Sequence, residues 1–153
     1  MNFEIPGVGD LTIDSLILDL NGTVAIDGIV VDGVSERIAD LRSRGLKIFL
    51  FSGDTQGNAA DIASELEVDL RKTPSADQKV EAVREIGVDT AATIGNGRID
   101  KELFEEVRLA IATLQAEGVH IETLLAADLV VPSINDALDL LLKEKRLIAS
   151  LRK

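Results

Sequence analysis

Polar residues and glycines stand at the ends of three apolar segments of the sequence, Ser15–Leu20, Leu46–Phe51 and Asp89–Gly95. They are Asp19, Asn21, Gly22 and Thr23 for the first segment, Ser52, Gly53 and Asp54 for the second, and Gly95, Asn96, Gly97 and Asp100 for the third. Acidic and amide oxygens suit Mg²⁺, which prefers oxygen ligands and usually keeps several waters. Glycine turns let backbone N–H groups approach a phosphate, and Ser52 and Lys79 can bind its remaining oxygens. If the segments lie side by side, the sequence predicts a site for phosphate and magnesium.

The stretches between these segments have the pattern of helices. Val34–Arg44 and Ala76–Ile86 show helical spacing of apolar residues, and a glycine follows each of them. Strands that alternate with helices predict one α/β domain over residues 1–153, with three α/β/α layers and a mostly parallel, Rossmann-like sheet. Ligands bind such sheets beyond the carboxyl ends of the strands, where the polar residues would meet.

Smaller elements complete the predicted domain. Asp27-Gly28 is the turn signal of a small hairpin at Val24–Val31, directly after the first polar group. The segment PGVGD indicates a hairpin turn between FEI and LTI, since it lacks the lysine and the helix of a phosphate loop. Further strands are predicted in VDL, VRLAIA and DLVV, and further helices at Asp61–Glu67, near Asp100, at Ile121–Ala126 and from Ser133 to about Arg152. In the last helix, KEKR is predicted to form a solvated face.

Composition narrows the class of protein. Of the 153 residues, 46% are hydrophobic and only 3% are aromatic, which is typical of a layered core of Leu, Ile, Val and Ala. The absence of cysteine excludes disulfides and thiolate chemistry. The net charge of −11 argues against nucleic acid as a partner, and no apolar run approaches the roughly 20 residues of a membrane span. We therefore expect a cytoplasmic protein that binds neither nucleic acid nor membrane.

The segments DLNGT, FSGDT and GNGRID, together with Lys79, resemble the four motifs of the haloacid dehalogenase (HAD) superfamily. The likeness is closest to the phosphorylation domain of P-type ATPases, and it extends from about Ser15 to Leu142 through SADQKVEAVREIG and AADLVVPSINDALDLL. The resemblance implies a Mg²⁺-dependent phosphatase or phosphotransferase that acts on phosphate esters or acyl phosphates. Its nucleophile would be Asp19, which would form an aspartyl-phosphate.

The resemblance also implies roles for the other site residues. Catalysis would involve Asp19, Asn21 and Lys79, with the Lys79 ammonium neutralising the phosphoryl group. The phosphate would be bound by Asn21, Gly22, Ser52, Gly53 and Lys79. Mg²⁺ would be held by Asp19, the carbonyl of Asn21, Asn96 and Asp100.

Three positions depart from the family pattern, with Asn21 and Asn96 in place of acids and Ile99 in place of asparagine. In HAD phosphatases the acid at the position of Asn21 protonates the leaving alkoxide and then activates the attacking water. An amide cannot do this at neutral pH, and such acid–base catalysis contributes roughly 10²–10⁴-fold. P-type ATPases also lack this acid, which favours a persistent phosphoenzyme. We therefore expect good leaving groups to be preferred and Mg²⁺ to bind more weakly.

The spacing of the motifs leaves no room for a cap domain. The hairpin, one helix and one strand fill the sequence between Asp19 and Ser52, while a helix and a short strand fill that between Ser52 and Lys79. A capless enzyme either acts on exposed phosphates of large partners or closes its site by oligomerising. We expect a phosphorylated small molecule or macromolecule as substrate, and a homo-oligomer with contacts around Asp27–Val31.

Two other functions stay open. The first is a regulatory module that binds Mg²⁺ and phosphate without turnover, because Asn21 and Asn96 both lack the acid. The second is a response-regulator receiver, which shares the strand-end aspartate. A receiver usually has an acidic pair after its first strand and its lysine after a late strand, and neither feature is found in this sequence.

Individual residues also have structural explanations. Thr23 either bonds within its own turn or binds the ligand, and Asp54 is expected to cap the following helix. If the resemblance to the HAD motif is set aside, Lys79 could be a solvent-exposed lysine on a helix. Arg98 is either a surface charge or a substrate contact, and His120, the only histidine, is expected at the surface.

Overall fold

The computed structural model describes residues 1–153, and a six-stranded parallel sheet lies at its centre. The strands of the whole chain are β1 (Asn2–Ile5), β2 (Gly9–Thr12), β3 (Ser15–Asp19), β4 (Ala25–Ile26), β5 (Ile29–Val30), β6 (Lys47–Ser52), β7 (Asp69–Lys72), β8 (Ala91–Gly95), β9 (Leu109–Thr113) and β10 (Leu129–Val131). The central sheet has the order β10-β9-β8-β3-β6-β7, and each neighbouring pair is parallel. The predicted α/β fold is confirmed.

Helices cover both faces of this sheet. They are α1 (Val34–Ser43), α2 (Ala59–Leu66), α3 (Ala76–Ile86), α4 (Lys101–Glu106), α5 (Ile121–Ala126), α6 (Ile134–Leu142) and α7 (Glu144–Leu151), with single 3₁₀ turns at Val88–Thr90 and Arg98–Asp100. Side chains of β3 alternate between the faces. Leu16 and Leu18 pack with α1, α2, α6 and α7, while Ile17 packs with α3 and α4. No helix is both long enough and apolar enough to pass through a membrane.

Two small hairpins lie outside the central sheet, as predicted. β1 and β2 pair in antiparallel fashion across the Pro6–Val8 turn. β4 and β5 form the second hairpin, which we call the flap. Its turn residues Asp27 and Gly28 both have positive φ, at 51° and 78°, as a tight hairpin turn of the Asp-Gly type requires.

The single helix predicted from Ser133 to Arg152 is wrong, because the chain breaks at Lys143 into α6 and α7. Lys143 leaves the helical region, with φ −115° and ψ 75°, and its ammonium bonds Asp139 at 2.6 Å. The break turns the chain so that Leu147 is buried in the main core. All four KEKR residues are exposed, which confirms the predicted solvated face. Two of them, Lys143 and Arg146, also pair with the Asp139 carboxylate.

Candidate active site

The three predicted polar groups meet at one edge of the sheet. β3 lies between β6 and β8, with Asp19 opposite Phe51 on one side and Leu18 opposite Ile94 on the other. Asp19, Ser52 and Gly95 therefore end three adjacent parallel strands at nearly the same level. This convergence at the carboxyl ends of the strands was predicted from the order of strands and helices.

Lys79 connects two of these groups through its ammonium. Its Nζ lies 2.6 Å from Asp19 Oδ1 and 2.5 Å from Asp100 Oδ1. The Lys79 side chain has no exposed surface, while those of Asp19 and Asp100 are 14% and 1% exposed. Ser75 begins α3 by accepting a hydrogen bond from the Gln78 N–H, which places Lys79 in the first turn. Lys79 is therefore buried beside the predicted site residues and is not a solvated helix lysine.

The charges of this cluster do not balance. Burial and the adjacent Asp100 carboxylate raise the pKa of Asp19 to about 7, and they outweigh the opposite effect of Lys79. Burial lowers the pKa of Lys79, but the two carboxylates outweigh it and the net shift is upward. One ammonium thus faces two carboxylates in a desolvated place. A further cation beside Asp19 would relieve the excess negative charge.

We predict that the Asp19→Asn variant is more stable than the wild type when divalent cations are absent. The folded-state pKa of Asp19 lies above its ordinary value of 3.8. Asp19 therefore contributes stability below pH 4 that is lost as the pH rises to about 7. Because asparagine does not titrate, the stability advantage of the variant should grow by on the order of 2 kcal/mol between pH 5 and pH 8. Urea unfolding at the two pH values measures it, and a pH-independent difference would contradict the assignment.

Asp100 also closes the turn that follows β8. Its Oδ2 accepts hydrogen bonds from the N–H groups of Asn96 and Gly97, at 3.1 and 2.8 Å. A Cβ at Gly95 would lie 2.7 Å from this oxygen, so the turn requires glycine there. Both Asp100 oxygens are engaged, one by backbone and one by Lys79. Through these contacts Asp100 positions the Lys79 ammonium. The predicted role of Asp100 in metal binding stays a prediction.

The Asn96 side chain is buried and is bonded at both ends. Its Oδ1 accepts a hydrogen bond from the Thr23 hydroxyl at 3.2 Å, and its Nδ2 donates to the Gly118 carbonyl at 2.9 Å. The Thr23 hydroxyl is thus used for Asn96 rather than for its own turn, in which only the backbone N–H of Thr23 takes part, by donating to the Leu20 carbonyl at 3.3 Å. Asn96 Oδ1 keeps a second lone pair with which it could bind a cation.

The turn after β3 carries Asn21 and Gly22. The side-chain Nδ2 of Asn21 donates to the Thr55 hydroxyl at 3.3 Å. The backbone carbonyl of Asn21 accepts no hydrogen bond. Gly22 has φ 79°, and its N–H donates to the Ala25 carbonyl at 2.8 Å. The sequence predicted that Gly22 binds phosphate, but its backbone N–H already donates to the Ala25 carbonyl.

The turn after β6 holds a buried hydroxyl beside a helix start. Ser52 Oγ accepts a hydrogen bond from the Asp54 N–H at 2.9 Å and retains its own proton for a ligand. Asp54 Oδ1 accepts one from the Ala59 N–H at 3.1 Å, at the first residue of α2. This confirms that Asp54 caps the helix. A Cβ at Gly53 would lie 3.3 Å from the Pro74 backbone, which explains a glycine there.

Sequence reasoning missed the loop of residues 114–120, between β9 and α5. The Gln115 side chain bonds two carbonyls of the first turn, and Glu117 Oε1 accepts a 3.4 Å hydrogen bond from the flap residue Asp27. The segment LQAEG has no motif or periodicity that would single these residues out. Their role depends on contacts with positions 90 to 93 residues earlier.

Other expected residues lie at the margin of the site. Arg98 is exposed and His120 is half-buried. The backbone N–H of His120 donates to the backbone carbonyl of Asn96 at 2.9 Å. A surface cavity of about 530 Å³ lies at the start of β6, where it is lined by Leu46 and Lys47 among others. This cavity is at the opposite edge of the sheet and contains none of the motif residues.

The donors at the strand ends fit a hard divalent cation. They are the Asp19 carboxylate, the Asn21 carbonyl and the Asn96 amide oxygen, all of them oxygen ligands of the kind that Mg²⁺ takes. No cluster of three acidic, histidine or cysteine side chains is present to hold a metal ion. With one formal charge among these donors, the set predicts weak binding.

The family model of the haloacid dehalogenase-like hydrolases matches residues 4–97 of the chain. The chain belongs to this family. The predicted resemblance to the HAD superfamily is thereby confirmed. A potassium-transporting ATPase ATP-binding subunit of Listeria welshimeri is 35% identical to this HAD family member over 96 residues. That alignment covers 60% of this chain and 14% of the subunit, in agreement with the predicted likeness to P-type ATPases.

Two further proteins are similar to this chain. An uncharacterized protein of Methanocaldococcus jannaschii is 49% identical over 59 residues, which are 39% of this HAD family member and 63% of that protein. The chain thus spans less than two thirds of these curated relatives. The 3-deoxy-D-manno-octulosonate 8-phosphate phosphatase of Moraxella catarrhalis has a TM-score of 0.70 at 17% identity, covering 92% of this chain and 94% of that one. This likeness shows the fold.

Proposed function

We propose that this chain is a Mg²⁺-dependent phosphohydrolase or phosphotransferase that forms an aspartyl-phosphate on Asp19. The observation that carries the proposal is the buried Lys79 ammonium held between Asp19 and Asp100 at the ends of parallel strands. A lysine so placed can neutralise a phosphoryl group beside a carboxylate nucleophile. The family match and the order of the motifs support the same chemistry.

In the first step an ionised Asp19 oxygen attacks phosphorus, and the bond from phosphorus to the leaving oxygen breaks. The leaving group departs with the electron pair. Lys79 stabilises the charge on the phosphoryl oxygens, and the Ser52 hydroxyl and the Gly53 N–H donate hydrogen bonds to them. In the second step water, or another acceptor, attacks the same phosphorus and loses its proton to solvent, while the bond to Asp19 breaks and the Asp19 carboxylate is restored.

A bound Mg²⁺ would supply charge stabilisation to the phosphoryl oxygens during both steps. Asp19, the Asn21 carbonyl and Asn96 would hold it, while Asp100 would act through Lys79. The Moraxella catarrhalis phosphatase was solved with magnesium and phosphate ions, which supports this choice of cation. The negative charge left unbalanced around Asp19 points the same way.

The test is to trap the intermediate. The protein is mixed with an aryl phosphate and Mg²⁺, quenched in acid, digested and analysed by mass spectrometry for phosphate on the peptide that contains Asp19. We expect a labelled peptide and an initial burst of the aryl product, because Asn21 cannot activate the second-step water. Equal turnover by the Asp19→Asn variant would disprove the assignment of the nucleophile.

We predict that activity is lost when divalent cations are removed by a chelator, and that Mg²⁺ or Mn²⁺ restores it. The donor oxygens suit both ions, whereas Ca²⁺ should inhibit because its looser coordination misplaces the carboxylate. Aryl phosphate turnover after chelation and stepwise metal addition measures this. Full activity in the metal-free protein would refute the metal requirement.

The substrate is proposed to be a phosphorylated small molecule or an exposed phosphate of a macromolecule. Only the flap and α1 lie between β3 and β6, and only α2 and β7 lie between β6 and α3. Such a capless site is open to water, and a neighbouring subunit at the flap would enclose it. Ile29 at the flap tip is 74% exposed, which suits a contact. Light scattering tests this assembly, and a fully active monomer would contradict it.

A second candidate is a regulatory module that binds phosphate without turnover. The observation that favours it is that amides occupy both positions 21 and 96, and that Asn96 is tied to Thr23 and Gly118. Beryllofluoride, a mimic of the phosphoryl group, separates the two functions. Tight binding without aryl phosphate turnover would favour the module.

A further inference from the structure

The Gln115 side chain connects three backbone groups around the first turn of the site. Its Nε2 donates to the carbonyls of Gly22 and Thr23, both at 2.8 Å, and its Oε1 accepts from the Ile134 N–H at 3.0 Å. The amide is thus used at both ends. It joins the turn that follows the nucleophile to the start of α6, although these elements are distant in sequence.

The backbone of Gln115 is itself in an unusual conformation. Its φ of 32° is in the left-handed region, where a residue with a side chain is disfavoured. The N–H of Gln115 donates to the Pro132 carbonyl at 2.9 Å, which holds the residue in this place. Strained backbone of this kind persists only where surrounding contacts impose it, and it is common at functional sites.

The two carbonyls that Gln115 binds belong to successive peptide planes directly after Asn21. They follow the plane that contains the Asn21 carbonyl, so fixing them restrains the turn in which that carbonyl lies. The same turn is tied on its other sides by the bonds of Asn21 to Thr55 and of Thr23 to Asn96. Those two hydrogen bonds join side chains only, whereas the Gln115 side chain binds the backbone carbonyls of the turn directly.

We propose that Gln115 is a positioning residue for the reaction at Asp19, and this inference rests on the proposed function. By holding the peptide planes after Asn21, it keeps the phosphate-facing turn at a fixed distance from the nucleophile and from Lys79. Displacements of about 1 Å in such a site can cost about 10²-fold in rate. Gln115 touches no reacting atom in this role.

The Gln115→Glu variant tests the inference with almost no change of shape. A carboxylate at position 115 can still accept the hydrogen bond from the Ile134 N–H. It has no proton to donate to the Gly22 and Thr23 carbonyls, so it would repel them. We expect kcat for an aryl phosphate to fall by about 10²-fold, with KM changed by less than about threefold. Protonation restores an O–H donor, so the activity relative to wild type should rise as the pH falls from 8 to 5.

Two further variants keep the test interpretable. Gln115→Met removes both kinds of hydrogen bond without adding charge, and it should show a similar loss of kcat with no recovery at low pH. If the Gln115→Glu variant does not fold, the Gln115→Met variant alone tests the inference. Asn2→Asp adds the same charge on an exposed residue of β1, far from the site in the fold, and it should match the wild type.

Several results would overturn the inference. Wild-type kcat in both Gln115 variants would do so, as would a lower melting temperature with unchanged kcat, because either would leave Gln115 a merely structural role. The wild type is measured alongside. If it neither forms the phosphoenzyme nor hydrolyses aryl phosphates, the proposed function fails together with this inference, whereas an active wild type with active variants refutes the inference alone.

Discussion

The Lys79→Met variant is expected to lose at least about 10²–10³-fold in kcat, the range found when one charge-stabilising donor is removed from an active site. It should also lose about 3–5 kcal/mol of stability at pH 8, because Asp19 and Asp100 would be left without their cation. The stability loss should shrink at pH 5, where one carboxyl can take up a proton. Aryl phosphate kinetics and urea unfolding at the two pH values measure both effects.

Lys72→Met is the matched control for this prediction. Lys72 also faces an aspartate, Asp54, but at 3.6 Å and with 70% of its side chain exposed. Surface pairs of this kind contribute at most about 1 kcal/mol, so the control should remain close to wild type in stability and rate. If the two methionine variants behave alike, the central role of the buried ammonium is wrong.

The Asn21→Asp variant is expected to raise turnover of alkyl phosphates, such as sugar phosphates, by about 10²-fold or more. The wild type lacks a proton donor for an alkoxide leaving group, so it should favour acyl phosphates, anhydrides and aryl phosphates, whose leaving groups depart unassisted. An aspartate at position 21 has nearly the same shape as asparagine. Thr55, which now accepts from the Asn21 amide at 3.3 Å, can instead donate its hydroxyl proton. The added charge should also tighten Mg²⁺ binding.

The ratio of alkyl to aryl phosphate turnover, measured under conditions where chemistry limits the rate, decides this prediction. Asn2→Asp adds the same charge on an exposed residue of β1 and should leave the ratio unchanged. If the wild type hydrolyses a sugar phosphate as fast as an aryl phosphate, another group donates the proton. The explanation of Asn21 would then have to be abandoned.

The strand ends of this protein are predictable because local signals coincide there. Buried runs, glycine turns and strand-helix alternation place Asp19, Ser52 and Asn96 at one edge before any contact is known. The helix predicted over Ala76–Ile86 from its apolar spacing likewise has Lys79 in its first turn, which brings Lys79 to the same edge. Each of these inferences uses only neighbouring residues.

The features that were missed depend on contacts between distant segments. Nothing near Gln115 in the sequence reveals that its amide binds the Gly22 and Thr23 carbonyls. The break at Lys143 has no proline or glycine to signal it, and it depends on burying Leu147. The bond from Thr23 to Asn96 crosses 73 positions. Side-chain partners of this kind are decided by packing and not by local propensity.

Because β3 lies in the middle of the sheet, a growing chain cannot complete this site early in synthesis. Asp19 leaves the ribosome 60 residues before Lys79, and β8, which pairs with the second side of β3, follows later still. Pairings of such long sequence separation form slowly, and an uncovered apolar strand is prone to aggregation meanwhile. Asp19 and Lys79 therefore become partners only after much of the chain has been made, and a half-made chain lacks the site proposed for the reaction.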